Sequence, residues 1–163
     1  MDEQQLQQLY AQVLDLSQNI ALNERLDKPD VSVTMVSPLC GSQIAVDLEL
    51  DGDRVARFGQ KVRACTLGAA AASIMAQHVI GKSADELRTL RAAMRSMLKD
   101  DGAPPGGEWS AFEILAPARD LVSRHGSIML VFDAIAEALD EAQGRDTSHA
   151  TVPGKGIPDT MRA

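Results

Sequence analysis

Cys40 and Cys65 are the only cysteines in the 163 residues, and the stretch between them constrains the fold more than any other feature. Ile44, Val46, Leu48 and Leu50 alternate with Ala45, Asp47 and Glu49, the period-two pattern of a strand with one face buried. Arg54 to Val62 follows as a second strand, its alternation looser around Val55 and Phe58. Asp51-Gly52-Asp53 between them reads as a hairpin turn. A hairpin goes out and comes back, so its two outer ends finish side by side. Cys40 stands just before the outgoing strand and Cys65 just after the returning one, so the two thiols are expected to meet. If they share a metal whose ligands lie ~2.3 Å away, their sulfurs should be within about 3–7 Å of each other.

The rest of the chain extends this hairpin. Val31, Val33 and Met35 alternate with polar residues and supply a third antiparallel strand. Leu6, Leu9, Tyr10, Val13 and Leu14 form a helical stripe over residues 3–18. Residues 66–80 read as a helix that is small on most faces, with Gly81 as its C′ residue. Ser83-Ala84-Asp85-Glu86 is a capping box, and Leu87, Leu90, Met94 and Met97 form the inner face of the helix it opens. Arg88, Arg91 and Arg95 then read as a solvated face, or as a basic strip for an acidic partner. Asp100 to Gly107 is a loop, Trp109 to Leu115 a short helix, and Pro117 breaks the chain direction after it. Ser127 to Ala142 is the last helix, with Ile128, Val131, Phe132, Ile135 and Leu139 turned inward. The expected class is α+β: a three-stranded antiparallel sheet covered by helices on one side. Residues 1–143 make a single domain, and 144–163, with Pro153, Gly154, Gly156 and Pro158, a mobile tail.

Composition excludes several functions. Aromatic residues are 3% of the chain, so the core must be built from Leu, Val, Ile, Met and Ala. A net charge of −7 without a basic patch argues against nucleic acid or an anionic membrane as partner. No apolar run reaches membrane-spanning length, and the polar start Met1-Asp2-Glu3-Gln4-Gln5 does not read as a signal peptide. Two cysteines without an export signal suit the reducing cytoplasm, where thiols stay free.

The surroundings of the thiols differ. Cys40 lies between Pro38 and Gly41, in a turn whose backbone can come close to a ligand. Cys65 opens the Ala-rich helix, near the positive end of its dipole, with Lys61 and Arg63 adding charge. Such surroundings suit a sulfur that binds metal or attacks another sulfur. Spacing alone leaves a second reading open, in which both cysteines are small buried hydrophobes.

The wording around the cysteines is more specific. Ser37-Pro38-Leu39-Cys40-Gly41-Ser42 resembles the N-P-x-C-G-D loop of iron–sulfur-cluster scaffold proteins, the family of IscU, SufU and the NifU N-terminal domain. Ala64-Cys65-Thr66-Leu67-Gly68-Ala69-Ala70-Ala71-Ala72-Ser73-Ile74-Met75 resembles that family's G-C-x-I-S-x-A-S-A-S-M-M helix start. Val79-Ile80-Gly81-Lys82-Ser83-Ala84-Asp85-Glu86-Leu87 is similar to its V-x-G-K-T-x-x-E-A/L. The likeness runs over residues 5–142. It implies the IscU/SufE-like α+β fold, a scaffold rather than an enzyme, and a cysteine desulfurase and recipient apo-proteins as partners.

The family builds its site from three cysteines and an Asp two residues after the first. The matching positions here are Cys40, Ser42, Cys65 and, by alignment of Arg124-His125-Gly126-Ser127-Ile128-Met129-Leu130 with R-x-K-C-x-x-L, Ser127. Two cysteines are kept; the third Cys and the Asp are serines. Two thiolates complete neither a tetrahedral zinc site nor a [2Fe–2S] cluster. His125, in the turn entering the last helix, could supply a third ligand, and Ser127 could instead be a plain N-cap. His78 and His149 read as structural or solvated. The IscU-type Leu-Pro-Pro-Val-Lys stretch is absent; Asp120-Leu121-Val122-Ser123-Arg124 stands in its place. The resemblance thus implies a scaffold or carrier that binds iron, sulfur or a labile iron–sulfur cluster transiently through Cys40 and Cys65. A homodimer pooling four cysteines is one way to complete the ligand set. The alternatives are a degenerate regulatory partner of the desulfurase that binds no metal, and a zinc-dependent sulfur acceptor.

Overall fold

The computed structural model describes residues 2–39 and 41–146. The sheet is an antiparallel meander in the order β1-β2-β3, with β1 at Val31–Val36, β2 at Gln43–Asp51 and β3 at Arg54–Arg63. Gly52 turns the hairpin at φ +64°, a conformation that a side chain would oppose. The loose alternation of β3 has a definite cause. A β-bulge shifts the register between Glu49 and Leu50, so Glu49 faces Arg57 while Leu50 faces Val55. One extra residue on β3 lets Val55 and Phe58, three apart, both point into the core.

Ile44, Val46, Leu48 and Phe58 carry the helix-covered face. α4 (His125–Asp146) lies on β1 and β2, and α2 (Thr66–His78) on β3. α1 (Glu3–Gln18) packs mainly on α2, and α3 (Ala84–Lys99) on α4. Every residue of α2 from Leu67 to Ala76 is buried. A helix enclosed on all sides needs small side chains so that neighbours can approach, which is what Ala69 to Ala72 provide. Gln60, fully buried, donates from Nε2 to the Ala72 carbonyl at 3.1 Å and ties β3 to this helix.

The other face of the sheet is not simply solvent-exposed. Asp47 has no exposed surface. Its carboxylate accepts from Arg25 Nε at 2.6 Å and Nη2 at 2.9 Å, from the Leu26 N–H at 3.0 Å and from Ser32 Oγ at 2.5 Å. These bonds hold residues 22–26 against the sheet. Gly59, opposite Asp47, leaves room for this segment: a Cβ there would overlap the Glu24 carbonyl and meet Leu26 at 3.1 Å. A glycine inside a strand is the sequence signal of such an approach.

Several local expectations are revised. α2 ends at His78, so Gly81 (φ +85°) lies beyond its C-cap Val79 and gives its N–H to the Val55 carbonyl instead. Residues Gly107–Asp120 form one continuous 3-10 run through Pro117 rather than a short helix that the proline stops. Ser83 caps α3 by accepting from the Glu86 N–H at 3.2 Å, while the Glu86 carboxylate turns to Arg54. Arg88, Arg91 and Arg95 do not form a free basic face. They pair with Asp140 and Asp133 of α4, the shortest contact being Arg91 Nε to Asp133 Oδ1 at 2.7 Å. Few as they are, the aromatics gather: Phe112 and Phe132 centroids are 5.1 Å apart, and Trp109 and Phe112 6.1 Å. α4 runs to Asp146, past the end expected at Ala142; residues 147–163, with His149, lie outside the described residues. No described helix is long and apolar enough to cross a membrane.

Candidate metal and sulfur site

Register alone assembles one end of the sheet. Gln43 pairs with Val36 on one side and Arg63 on the other, so the β1–β2 loop and the exit of β3 share an edge. That loop is closed on itself: the Ser37 N–H donates to the Ser42 carbonyl at 2.7 Å, and the Gly41 N–H to the Ser37 carbonyl at 2.8 Å, with Gly41 at φ +72°. Cys65 is the N-cap of α2, and the first turn of α4 comes down on the same end.

Here Ser42, Cys65 and Ser127 meet. Ser42 Oγ and Ser127 Oγ are 3.0 Å apart. The Cys65 thiol donates to Ser127 Oγ at 3.2 Å, and the Cys65 N–H to Ser42 Oγ at 3.4 Å. Both serines are buried, at 4% and 1% exposure, while the cysteine is half-buried and reachable. Two glycines allow this density. A Cβ on Gly68 would overlap Ser127 Oγ, and one on Gly126 would come within 2.9 Å of Ser37 Oγ. The family motif has Ser where this chain has Gly68, and the glycine gives Ser127 its place against α2.

Electrostatically, Cys65 stands at the N-terminus of α2, whereas α4 continues directly from a 3-10 turn at Val122–Arg124 and its first N–H, of His125, donates to the Val122 carbonyl. The N–H groups of a first helical turn lack intrahelical partners and carry the positive end of the dipole. Ligands around one tetrahedral metal lie about 3.5–3.8 Å apart when bonds are ~2.1–2.3 Å. The two side-chain separations that meet at Ser127, 3.0 Å to Ser42 Oγ and 3.2 Å to Cys65 Sγ, are hydrogen-bond distances a few tenths of an ångström below that. The side chains themselves fall short: hydroxyls are weak ligands, and no group of three or more His, Cys, Asp or Glu that could hold a metal exists among the described residues.

Cys40 lies outside the described residues, so its distance to Cys65 remains the expectation that the hairpin sets. Ser42, two residues along, is bonded to Cys65. His125 is turned elsewhere. Its Nε2 donates to the carbonyls of Ala118 and Arg119, each at 3.1 Å, and the residue is 5% exposed. Nε2 carries this hydrogen, so of the two ring nitrogens only Nδ1 could take a metal. The reason for the turn is helical geometry. α4 begins at His125, not at Ser127, so both residues are inside the helix and project about 200° apart. Ser127 is therefore not an N-cap either.

The sheet, its helical cover and the cysteine at the strand ends define an α+β domain. A family model described as NifU-like N terminal domain matches residues 9–105. The chain belongs to this family, the group of IscU, SufU and NifU N-terminal domains. Among curated proteins it is 29% identical over 108 residues to the iron–sulfur cluster assembly scaffold protein IscU of Streptococcus pyogenes serotype M1, covering 66% of this chain and 68% of that one. Among solved structures it is similar to the N-terminal part of a nitrogen-fixing NifU-like protein from Brucella abortus, at 37% identity and a TM-score of 0.83 over 86% of this chain and 99% of that one. A SUF-system protein from Fervidobacterium islandicum AW-1 shares the fold at 16% identity, with a TM-score of 0.69 over 78% and 93% of the two chains.

Proposed function

We propose that this chain is an iron–sulfur-cluster assembly scaffold or carrier that holds iron, sulfur or a labile cluster as transient cargo on Cys40 and Cys65. Family membership and the likeness to an IscU support the general role. One observation carries the site: a half-buried Cys65 at the N-cap of α2 bonds hydroxyls at both substituted ligand positions, its thiol to Ser127 and its N–H to Ser42. A partner can reach this sulfur. Two thiols from one chain leave ligand positions open, so the cargo is loosely held and easily passed on. A cysteine desulfurase would supply the sulfur and apo-proteins would receive the product; the domain itself catalyses no turnover. Such a role belongs to the cytoplasm.

One observation favours a second reading. The Ser42 and Ser127 hydroxyls bond one another at 3.0 Å, as a degenerate member that only regulates the desulfurase would have them. A zinc-dependent sulfur acceptor is the third variant. Anaerobic purification followed by assay of iron, zinc and acid-labile sulfide separates them. Iron with sulfide, lost in Cys65→Ser, is the result expected; zinc alone points to the acceptor, and neither metal nor sulfide to the regulator.

A further inference from the structure

Away from the thiol site, the free edge of β3 has a gap. Edge strands invite added strands unless something covers them. Near the hairpin, β3 is covered by residues 81–82: Val55 gives its N–H to the Lys82 carbonyl at 3.0 Å and accepts from the Gly81 N–H at 2.7 Å. Further along it is covered by residues 22–24, since the Gln60 N–H donates to the carbonyls of Leu22 at 3.2 Å and Glu24 at 3.1 Å. Phe58 lies between these covers. Its partner across the sheet, Leu48, accepts on the β1 side from the Asp30 N–H at 2.8 Å. The Leu48–Phe58 pair therefore exchanges no hydrogen bond, and the Phe58 N–H and C=O point to the free edge. Among the described residues, no backbone group outside the sheet bonds to them.

A cavity of about 620 Å³ opens at this gap, with Leu22, Asn23, Glu24, Arg57, Phe58 and Ile80 in its lining. Leu22 and Ile80 are 44% and 48% exposed, an apolar pair beside the bare edge. Asn23 Oδ1 is buried with no hydrogen-bond partner. Of the charges in the lining, Arg25 is held by Asp47 and Arg57 by Glu49, whereas Glu24 has no ion pair among the described residues. The lining thus presents one carboxylate, the Phe58 C=O and N–H, and an apolar surface.

We infer that the β3 edge gap at Phe58 binds an extended segment of a partner polypeptide, one apolar residue next to one basic residue. The segment's backbone pairs with Phe58, the apolar side chain covers Leu22 and Ile80, and the cation faces Glu24. This is strand addition confined to about three residues by the covers on either side. It uses none of the thiol-site residues, so it stands or falls apart from the proposed cluster chemistry.

The test is a titration of the full 15N-labelled chain with acetyl-Leu-Lys-Leu-amide, followed by amide shifts. Shifts confined to residues 22–24, 56–58 and 80, with slowed exchange of the Phe58 N–H, are expected at peptide concentrations of about 1–10 mM. Acetyl-Leu-Glu-Leu-amide should bind about tenfold more weakly, and Glu24→Lys should reverse that preference. Ile80→Glu, at an exposed position outside the fold's core, should weaken binding about tenfold while leaving the rest of the spectrum in place. The inference is overturned by no shift in that concentration range, by shifts elsewhere on the surface, or by binding that ignores both substitutions.

Discussion

Ser127 sits where three elements meet, and its neighbours limit what can replace them. Gly68 lies so close that a Cβ would overlap the serine hydroxyl. Gly68→Ala must therefore push the start of α4 away from α2, and is expected to cost about 1–3 kcal/mol in urea unfolding, as overpacking in a rigid interior does. Ser127→Cys tests the ligand position itself. Its side chain already lies 3.2 Å from Cys65 Sγ, so a sulfur there would share a metal with Cys65 after a small adjustment. Zinc affinity, measured by competition with a chromophoric chelator, should rise at least about tenfold, because a thiolate adds both a bond and a charge. No change would mean that residue 127 is not part of the ligand set. His125→Ala gives the contrast. It removes bonds to two buried carbonyls and should lower stability by about 1–3 kcal/mol. Metal content per folded chain should stay the same, because residue 125 projects about 200° away from Ser127 on α4.

Between elements, the strongest polar tie is the one that straps residues 22–26 to β2. Burial alone would raise the pKa of Asp47, but the bonds from Arg25, Ser32 and the Leu26 N–H, with the Arg25 charge, outweigh it and hold the pKa below the ordinary 3.8. In return, the bond to Asp47 raises the pKa of Arg25 against the effect of burial. A carboxylate with a depressed folded-state pKa contributes stability that is present above its unfolded pKa and lost as pH falls through the folded one. The expected result is a wild-type stability that drops below about pH 4, while Asp47→Asn is weaker at pH 7 and flatter in acid. The difference at neutral pH should be about 2–4 kcal/mol, less than for a fully enclosed pair because Arg25 is half exposed and can regain water. Urea unfolding at a series of pH values reads both. Equal slopes in acid would show that Asp47 does not set the acid limit. The α3–α4 contact is milder: its Arg–Asp pairs are partly exposed, and they fix register more than they add stability.

For the whole molecule, the controlling fact is the supply of thiols. One chain has two, and a [2Fe–2S] cluster takes four protein ligands. A reconstituted cluster on the monomer should lose its visible absorbance rapidly to a chelator. A chelator-resistant species should appear only with dimers, where two chains pool their cysteines, and size-exclusion chromatography with absorbance detection checks both. A resistant cluster in the monomeric fraction would mean that another ligand exists in the chain.

Much of this architecture can be read directly from the order of residues. Period-two runs, a turn at Asp51-Gly52-Asp53 and a run of alanines are local signals, and local sterics act on them wherever the chain goes. They determined the three strands, the small-residue α2 and the arrival of Cys65 at the end of the sheet that Ser42 also occupies. The tertiary structure decided what depends on distant partners. Asp47 looks like an outward polar residue until Arg25, Leu26 and Ser32 close over it. Pro117 looks like a stop until a 3-10 run accommodates it. His125 and Ser127 look like neighbours in a turn until α4 starts two residues early and sends them to opposite sides. A strand or helix pattern repeats over many residues and tolerates error. The direction of one side chain depends on where a helix begins and what packs against it, and that is settled only when the whole chain is assembled.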